Sequence, residues 1–212
     1  MDDQRLKTGT TTVGIVCKDG IVLAADKKAT MGYMISTKDV QKVVILNNYL
    51  ALTIAGTVSD AQLLTRLIKA QIRLDELRNG KPLKVKEAAN MLASLVYNNI
   101  RKMSLIQGIT AFLFAGKDAQ GHYLFEIGMD GSLIEFKNFT VTGSGSEFAL
   151  GAMENEYKEN LSLEEGVKLI QKAVNAAIQR DIASGGGIDI ITITKEGTKH
   201  RETKRIDDRL KI

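Results

Sequence analysis

The sequence predicts an α+β fold of four layers, in which two antiparallel β-sheets pack face to face between two outer layers of helices. Three observations lead to this prediction. Apolar segments of strand length occur in two groups, and each group is followed by a pair of segments with helical periodicity. Short turns of hairpin type join most neighbouring strands, which favours antiparallel pairing. Helices that come in pairs after groups of strands favour helical layers on the outer faces of packed sheets.

The first group of strands starts near the N-terminus. Its members are expected at residues 11–17, 21–25, 33–36, 41–46 and 49–55. The first two strands are rich in apolar and β-branched side chains, and Lys18-Asp19-Gly20 between them is typical of a hairpin turn. The last strand of the group ends at Gly56.

Two helices follow this group. The first begins after Thr57 or Ser59, either of which can cap it, and extends to about Arg78. Its periodicity predicts a broad apolar face, formed by Leu63, Leu64, Leu67, Ile68, Ile72 and Leu74. The only proline of the chain, Pro82, separates it from a second helix at about residues 85–103.

The second half of the chain repeats this order. Four strands are expected at residues 109–115, 123–127, 133–136 and 139–141. A glycine-rich break at residues 142–146 precedes a third helix, at about residues 147–158. Ser162 and Glu165 form a capping box before an apolar repeat, which predicts a fourth helix that ends near Arg180.

The chain closes with an apolar strand at residues 188–194 and a hairpin partner near residues 198–203. No linker, low-complexity segment or short repeat interrupts the sequence. One soluble domain with a sizeable core is expected from 212 residues, of which 44% are hydrophobic and 25% are charged.

Composition argues against several classes of function. A net charge of +4, spread along the chain, and few aromatic residues argue against nucleic-acid binding. The single cysteine, Cys17, allows no intrachain disulfide and fits a reducing cytoplasm. Because His122 and His200 are far apart, no metal site is expected. The polar residues at the start of the sequence argue against a secretory signal. No apolar run approaches ~20 residues, which argues against a membrane span.

The chemistry centres on residues 9–14. A threonine hydroxyl is a poor nucleophile until a base takes its proton, and the α-amino group of the same residue can be that base. The amine of Thr10 is free only if the chain is cut after Gly9, whose lack of a side chain leaves its carbonyl open to attack by the next hydroxyl. We therefore expect residues 1–9 to be a propeptide that is removed autocatalytically, and residues 10–212 to be the catalytic domain.

Two alternatives to this interpretation remain at this point. A threonine-rich edge strand would have the same composition, although a strand is also a rigid mount for a nucleophile. Thr8, Thr11 and Thr12 are neighbouring candidates for the nucleophile.

A threonine nucleophile also needs a cation near its hydroxyl, a group that holds the cation, and a donor for the oxyanion. Lys42 opens a strand, and a lysine inside a covered site can lower the pKa of the hydroxyl or shuttle a proton. Asp26 ends a neighbouring strand and can pair with it, and the N–H of Gly56 can serve as the oxyanion donor. A surface ion pair and a turn glycine are the ordinary interpretations of these residues.

Polar residues beside the last two helices can orient the amine of Thr10. Ser144 precedes one helix, while Asp181 and Ser184 follow the other, where helix capping is the ordinary interpretation. The glycine-rich loop at residues 184–187 is followed by neither the lysine nor the helix of a P-loop, so we discount a nucleotide site.

Six segments of this chain, in order and spacing, resemble the proteasome β subunit, and the single active type found in archaea in particular. Each segment alone is common, but together they are specific, and the resemblance extends from residue 10 to about residue 203. The segments are Thr10-Thr11-Thr12-Val13-Gly14, Gly20-Ile21-Val22-Leu23-Ala24-Ala25-Asp26, Lys42, Ala55-Gly56, Gly143-Ser144-Gly145 and Arg180-Asp181-x-x-Ser184-Gly185.

The resemblance implies the αββα fold of N-terminal-nucleophile hydrolases and threonine endopeptidase activity without a cofactor. The family's catalytic residues match Thr10, Asp26, Lys42, Gly56, Ser144, Asp181 and Ser184. It implies that Thr10 is the nucleophile, that Asp26 and Lys42 are the catalytic carboxylate and amine, and that the Gly56 N–H stabilises the oxyanion. It also implies that Ser144, Asp181 and Ser184 hold the amine and the hydroxyl of Thr10 in position.

The resemblance also implies a substrate site. Thr30 matches a residue whose backbone pairs with extended substrate. The first specificity pocket matches Ala29, Val40, Val44, Ile54 and Val58. Because all five are apolar, we expect cleavage after hydrophobic residues.

The assembly that the resemblance implies is a homo-heptameric β ring stacked on a second β ring, between rings of a proteasome α subunit. An ATP-dependent unfoldase cap would deliver unfolded polypeptides through the α ring, in the cytoplasm and without nucleic acid or membrane. Two alternatives are the related bacterial two-ring threonine protease and a non-catalytic structural ring subunit. The short leader and the segment at residues 180–185 favour the proteasome, and the presence of Thr10, Asp26 and Lys42 favours a catalytic subunit.

Overall fold

The computed structural model describes residues 9–105 and 107–206 of the chain. The first half contains β1 (Thr11–Cys17), β2 (Gly20–Asp26), β3 (Ala29–Met31), β4 (Met34–Thr37), β5 (Val43–Asn47), β6 (Leu50–Gly56), α1 (Val58–Asn79) and α2 (Val85–Ile100). The second half contains β7 (Thr110–Asp118), β8 (Gly121–Ile127), β9 (Leu133–Phe136), β10 (Phe139–Gly143), α3 (Ser146–Glu156), α4 (Leu163–Arg180), β11 (Gly187–Thr194) and β12 (Gly197–Arg205).

Most of these strands form two five-stranded sheets. The first sheet has the order β10-β1-β2-β11-β12, the second has the order β5-β6-β7-β8-β9, and β3 and β4 form a separate hairpin. All neighbouring strands pair antiparallel. The expected α+β class with two antiparallel sheets is confirmed.

Three apolar clusters hold the layers together. Helices α1 and α2 pack on the second sheet, and Ile68 and Phe112 belong to the buried cluster between them. Helices α3 and α4 pack on the first sheet, and Ile170 and Ile190 belong to the buried cluster between them. Leu23 and its neighbours fill the space between the two sheets. Because side chains alternate along a strand, each sheet presents one face to its helices and the other to the opposite sheet. The expected αββα order of layers is confirmed.

The helix signals were informative to different degrees. The capping box at Ser162 and Glu165 is present at the start of α4, as expected. Thr57 is the N-cap of α1, but its side chain makes no capping hydrogen bond. The second helix ends at Ile100, three residues before the predicted end. The hairpin strand β3 was not expected from the sequence.

The predicted apolar face of α1 is too broad. Leu64, Ile68 and Ile72 are buried, and so is Ala61 in the preceding turn. However, three other members of the predicted face are exposed: Leu63, Leu67 and Leu74. Periodicity marks apolar residues on a helix, but it does not separate those that face the sheet from those that border solvent.

Among the helices of the described residues, none combines the length and the apolar character that crossing a membrane requires. Residues 1–8 of the expected propeptide, and residues 207–212, lie outside the described residues.

Candidate active site

Four strand ends bring the predicted catalytic residues to one edge of the sandwich. Thr10 directly precedes β1, and Asp26 ends β2; the pairing of Thr12 with Ala25 puts these two ends side by side. In the second sheet, Lys42 directly precedes β5, and its carbonyl accepts the N–H of Ile54 near the end of β6 at 2.8 Å. The sheets meet here, so residues from both can reach Thr10.

The hydroxyl of Thr10 lies beside the peptide bond that is expected to break. Thr10 is buried, and its Oγ1 donates to the carbonyl oxygen of Gly9 at 2.6 Å. The Nζ of Lys42 donates to the same oxygen at 3.3 Å. The hydroxyl of Thr10 and the amine of Lys42 therefore both contact the carbonyl oxygen of Gly9.

A buried ion pair fixes Lys42. Its Nζ lies 2.8 Å from Oδ1 of Asp26, and the two side chains are 6% and 0% exposed. The same Oδ1 accepts the N–H of Thr11 at 3.0 Å. The other oxygen accepts the N–H groups of Lys28 at 3.0 Å and Gly185 at 2.9 Å. Burial lowers the pKa of Lys42, and the charge of Asp26 opposes that shift. Lys42 therefore gives up its proton more easily than a solvated lysine.

Ser144, Asp181 and Ser184 form a hydrogen-bonded chain beside the backbone nitrogen of Thr10. That N–H donates to Oγ of Ser144 at 3.1 Å. Ser144 and Ser184 each donate to Oδ2 of Asp181 at 2.6 Å. The hydroxyls of Ser184 and Thr11 are 2.7 Å apart, so the chain also reaches β1.

The end of α4 and the turn before α3 bring these hydrogen-bonded side chains close to Thr10. Asp181 is the C-cap residue of α4, and Ser144 lies in the turn between β10 and α3. The turn passes very close to β1: a Cβ on Gly143 would lie 2.0 Å from the carbonyl oxygen of Thr10. Only glycine fits at this position, where the φ angle is +104°.

Gly56 lies in the wall of a small cavity beside Thr10. It ends β6 with a φ angle of +105°, and an added Cβ would lie 2.2 Å from the carbonyl oxygen of Ile109. The conformation and the space both require glycine. The structure thus places Gly56, at a position that cannot carry a side chain, on the wall of the cavity that Thr10 also lines.

The cavity contains most of the predicted substrate site. It has a volume of about 50 Å³ and is lined by Gly9, Thr10, Ala29, Thr30, Val40, Gln41, Lys42, Ile54, Gly56, Val58 and Gln62. Val44 does not line it; instead, Val44 packs against the core between the second sheet and its helices.

Two lining residues were missed by the sequence reasoning. Gln41 lies between two expected site residues, and Gln62 lies one helical turn after Val58 on α1. The helical period from Val58 is a signal that could have identified Gln62. The wall therefore combines apolar side chains with two amides.

The residue before Thr10 is tightly enclosed. Gly9 is buried, and its N–H donates to Oγ1 of Thr30 at 3.3 Å. A Cβ on Gly9 would lie 1.7 Å from Cβ of Ala183. No larger residue fits here without a shift of the loop that follows α4.

The alternative nucleophiles differ from Thr10 in position. Thr11 and Thr12 lie within β1 and do not line the cavity. The hydroxyl of Thr11 contacts Ser184, and that of Thr12 donates to the carbonyl oxygen of Thr142 at 3.4 Å. Thr8 lies outside the described residues. Within residues 9–105 and 107–206, no group of three or more histidine, cysteine or acidic side chains could hold a metal ion.

Comparison with known proteins gives consistent matches over most of the chain. The family model described as Proteasome subunit matches residues 6–193. The chain is 43% identical over 197 residues to the proteasome subunit beta of Haloferax volcanii, covering 93% of this chain and 78% of that protein. It is 41% identical over 192 residues to the proteasome subunit beta of Methanocaldococcus vulcanius, covering 90% and 84%. It is also 41% identical over 208 residues to the proteasome subunit beta 1 of Thermococcus onnurineus, covering 98% and 99%.

Proposed function

This chain belongs to the proteasome subunit family, and from that premise we propose that it is a catalytic β subunit with Thr10 as its N-terminal nucleophile. One observation carries the proposal. The Thr10 hydroxyl and the Lys42 amine lie 2.6 and 3.3 Å from the same carbonyl oxygen, that of Gly9. A subunit with a purely structural role has no need of a buried lysine at this bond.

The first step that we propose is self-cleavage after Gly9. Oγ1 of Thr10 attacks the carbonyl carbon of Gly9, and the C–N bond to Thr10 breaks as an ester to Oγ1 forms. The hydroxyl proton passes to the leaving nitrogen. Water then hydrolyses the ester, which releases residues 1–9 with a carboxylate and leaves Thr10 with a free amine. In the attack, Lys42 can donate to the oxygen that becomes negative.

The second reaction is the hydrolysis of peptide substrates. The free amine of Thr10, held by Ser144, takes the proton of the Thr10 hydroxyl, and the oxygen attacks the substrate carbonyl to form an acyl-enzyme. An unperturbed α-amino group has a pKa of about 7.7–8.0, so a neutral fraction is present near neutral pH. The positive charge of Lys42 favours the alkoxide form of the nucleophile. The N–H of Gly56 is the proposed oxyanion donor.

We propose a preference for hydrophobic residues before the cut. Ala29, Val40, Ile54 and Val58 give the cavity beside Thr10 apolar walls, which favour an apolar side chain. The amides of Gln41 and Gln62 add hydrogen-bonding groups to the same wall.

The proposed context is that of a proteasome core. We propose a homo-heptameric β ring stacked on a second one, flanked by α subunit rings, which receives unfolded polypeptides in the cytoplasm from an ATP-dependent unfoldase. Membership of the proteasome subunit family supports assembly with other subunits.

The test is the intact mass of the subunit after assembly with its α partner. The wild-type chain should lose residues 1–9, and Thr10→Ala should retain them and have no peptidase activity. Thr12→Ala is the matched control, because Thr12 lies in β1 and not on the cavity wall. This control should be processed like the wild type. An assembled wild-type chain that keeps its leader would identify a structural subunit.

A further inference from the structure

A second buried ion pair lies beside the proposed catalytic pair. The Nζ of Lys27 lies 3.2 and 3.1 Å from the two carboxylate oxygens of Asp189, and the two side chains are 5% and 4% exposed. Asp189 is on β11, where it pairs with Ala25 of β2 and precedes Ile191 by two residues. Ala25 and Ile191 pack between the two sheets. Because side chains two residues apart point to the same face of a strand, the Asp189 carboxylate lies at the edge of the inter-sheet core.

Lys27 also holds the segment that leads into β5. Its Nζ lies 2.9 Å from Oδ1 of Asp39. Its carbonyl oxygen accepts the N–H of Val40 at 2.9 Å. Residues 39–41, which we call the wall segment, include Val40 and Gln41 of the cavity wall. The side chain and the backbone of one buried residue therefore hold the same short segment.

The C-terminal strand completes this arrangement. Oγ1 of Thr203 on β12 donates to Asp189 at 2.7 Å. Arg205, on the same strand, lies 2.6 Å from Oδ2 of Asp39. Lys27, which directly follows β2, is thus linked to β11 through Asp189 and to the wall segment through Asp39, and both of these carboxylates also bind side chains of β12.

The charge of Lys27 makes this arrangement specific. Burial acts to lower its pKa, but hydrogen bonds and charge interactions with Asp39 and Asp189 outweigh burial and raise it. Lys27 therefore stays protonated at neutral pH. A buried ammonium group is stable only with partners at fixed positions, so its partners are constrained in turn.

Lys42 has anchors that do not depend on Lys27. It pairs with Asp26 at 2.8 Å, and its carbonyl oxygen accepts the N–H of Ile54 at 2.8 Å. Release of the wall segment from Lys27 should therefore disturb Val40 and Gln41 more than the catalytic amine.

We propose that Lys27, supported by Asp189, is a positioning residue that fixes the wall segment as one side of the specificity pocket. It touches no reacting atom and acts through Val40 and Gln41. This inference rests on the catalytic function proposed above, because it assigns the determinants of substrate affinity at that same site.

The first test is Asp39→Asn, which removes the ionic link and leaves the Lys27–Asp189 pair in the core. The Asp39 side chain is 46% exposed, so the fold should tolerate this change. The matched control is Asp19→Asn, the same change at an exposed residue in the turn between β1 and β2. Activity is measured on the assembled particle, with active sites counted by a covalent probe directed at the N-terminal threonine. For a peptide with a hydrophobic residue before the cut, Asp39→Asn should raise KM about tenfold and change kcat per site by less than about twofold.

A second set of variants tests Lys27 itself. The double variant Lys27→Met with Asp189→Leu removes both buried charges, a replacement that folded proteins often tolerate. It should raise KM at least as much as Asp39→Asn. Lys27→Arg keeps the charge and the donors, and its KM should stay near the wild-type value. A merely structural role would lower the number of active sites without this change in KM.

Three results would overturn the inference. KM could be unchanged in both Asp39→Asn and the double variant; kcat per site could fall at constant KM; or Asp39→Asn could fail to assemble where Asp19→Asn assembles. In each of these cases, a wild-type particle that removes its leader and cleaves peptides leaves the proposed function in place. A wild-type particle that does neither refutes both proposals.

Discussion

Replacement of Asp26 by asparagine keeps the size of the side chain and removes its charge. Asp26 is fully buried and accepts four hydrogen bonds, two at each oxygen. An asparagine has one oxygen, so its NH₂ group must face two donors that previously bonded a carboxylate. In one orientation these are the N–H groups of Lys28 and Gly185, and in the other they are the N–H of Thr11 and the amine of Lys42.

The expected loss of stability follows from this geometry. Each buried donor without a partner costs about 1–3 kcal/mol. Removing one partner of a buried ion pair costs about 3–5 kcal/mol, since the other charge stays buried. We therefore expect Asp26→Asn to lower the free energy of unfolding by about 3–5 kcal/mol. The assay is urea unfolding of the unassembled precursor on a Thr10→Ala background, so that the leader is retained in every variant.

The loss should depend on pH in a defined direction. Burial already lowers the pKa of Lys42, and Asp26 opposes that shift; without Asp26 the pKa falls further. When the folded-state pKa is below the unfolded value of about 10.4, the unfolded chain binds more protons and stability rises with pH. Relative to the wild type, the loss of unfolding free energy in Asp26→Asn is therefore largest below the pKa that Lys42 has in the variant, and it shrinks as pH rises from that pKa to the wild-type pKa of Lys42. A loss that stays constant over the whole pH range in which both proteins fold would contradict this reasoning.

A double-mutant cycle provides the sharper refutation. Lys42→Met alone leaves Asp26 as an unpaired buried carboxylate, whereas Asp26→Asn combined with Lys42→Met removes both charges. The double variant should cost much less than the sum of the single variants, because the pair interacts directly. Costs that add would mean that the two groups do not interact in the way that their 2.8 Å separation implies.

The other predictions concern the scissile bond, the pocket and the cysteine. Gly9→Ala should slow leader removal at least about tenfold, measured as intact mass against time, because the added Cβ would overlap Ala183. Adding Ala183→Gly to this variant should partly restore the rate. An unchanged rate in Gly9→Ala would show that the loop after α4 moves to accommodate the Cβ. Val58→Glu places a carboxylate on the pocket wall, so kcat/KM should fall about tenfold for peptides with a hydrophobic residue before the cut and rise for those with a basic one. Burial raises the pKa of Cys17 to about 12, so iodoacetamide at pH 8 should label the folded chain about 10³-fold more slowly than the unfolded chain; fast labelling of the folded chain would contradict its burial.

Local signals in the sequence were sufficient for most of the elements. The turn at Lys18-Asp19-Gly20 predicted the β1–β2 hairpin, and the capping box at Ser162 predicted the start of α4. Such features depend on residues within a few positions of each other. The buried face of α1 was harder to predict from the sequence, because Leu67 fits the helical period of the apolar residues and is nevertheless 44% exposed. Which side of a helix is covered depends on the sheet beneath it, and the period alone does not contain that information.

Local sequence patterns are also insufficient to predict every contact around the candidate active site. The register of the threonine segment and the family resemblance selected Thr10, Asp26 and Lys42, and the structure brings these three together. The Lys27–Asp189 pair could not be predicted in this way, because its members are 162 positions apart. Their contact depends on the pairing of β2 with β11, which no local pattern specifies.

The contact between the Thr10 hydroxyl and the Gly9 carbonyl has a kinetic consequence. Attacker and target belong to adjacent residues of one molecule, so leader removal by the proposed route is a first-order reaction that each chain performs once. Dilution of a subunit that is already folded should leave its half-life unchanged. A half-life that lengthens on dilution would therefore report a preceding bimolecular event, and the concentration at which it changes would give the affinity of the subunits for one another.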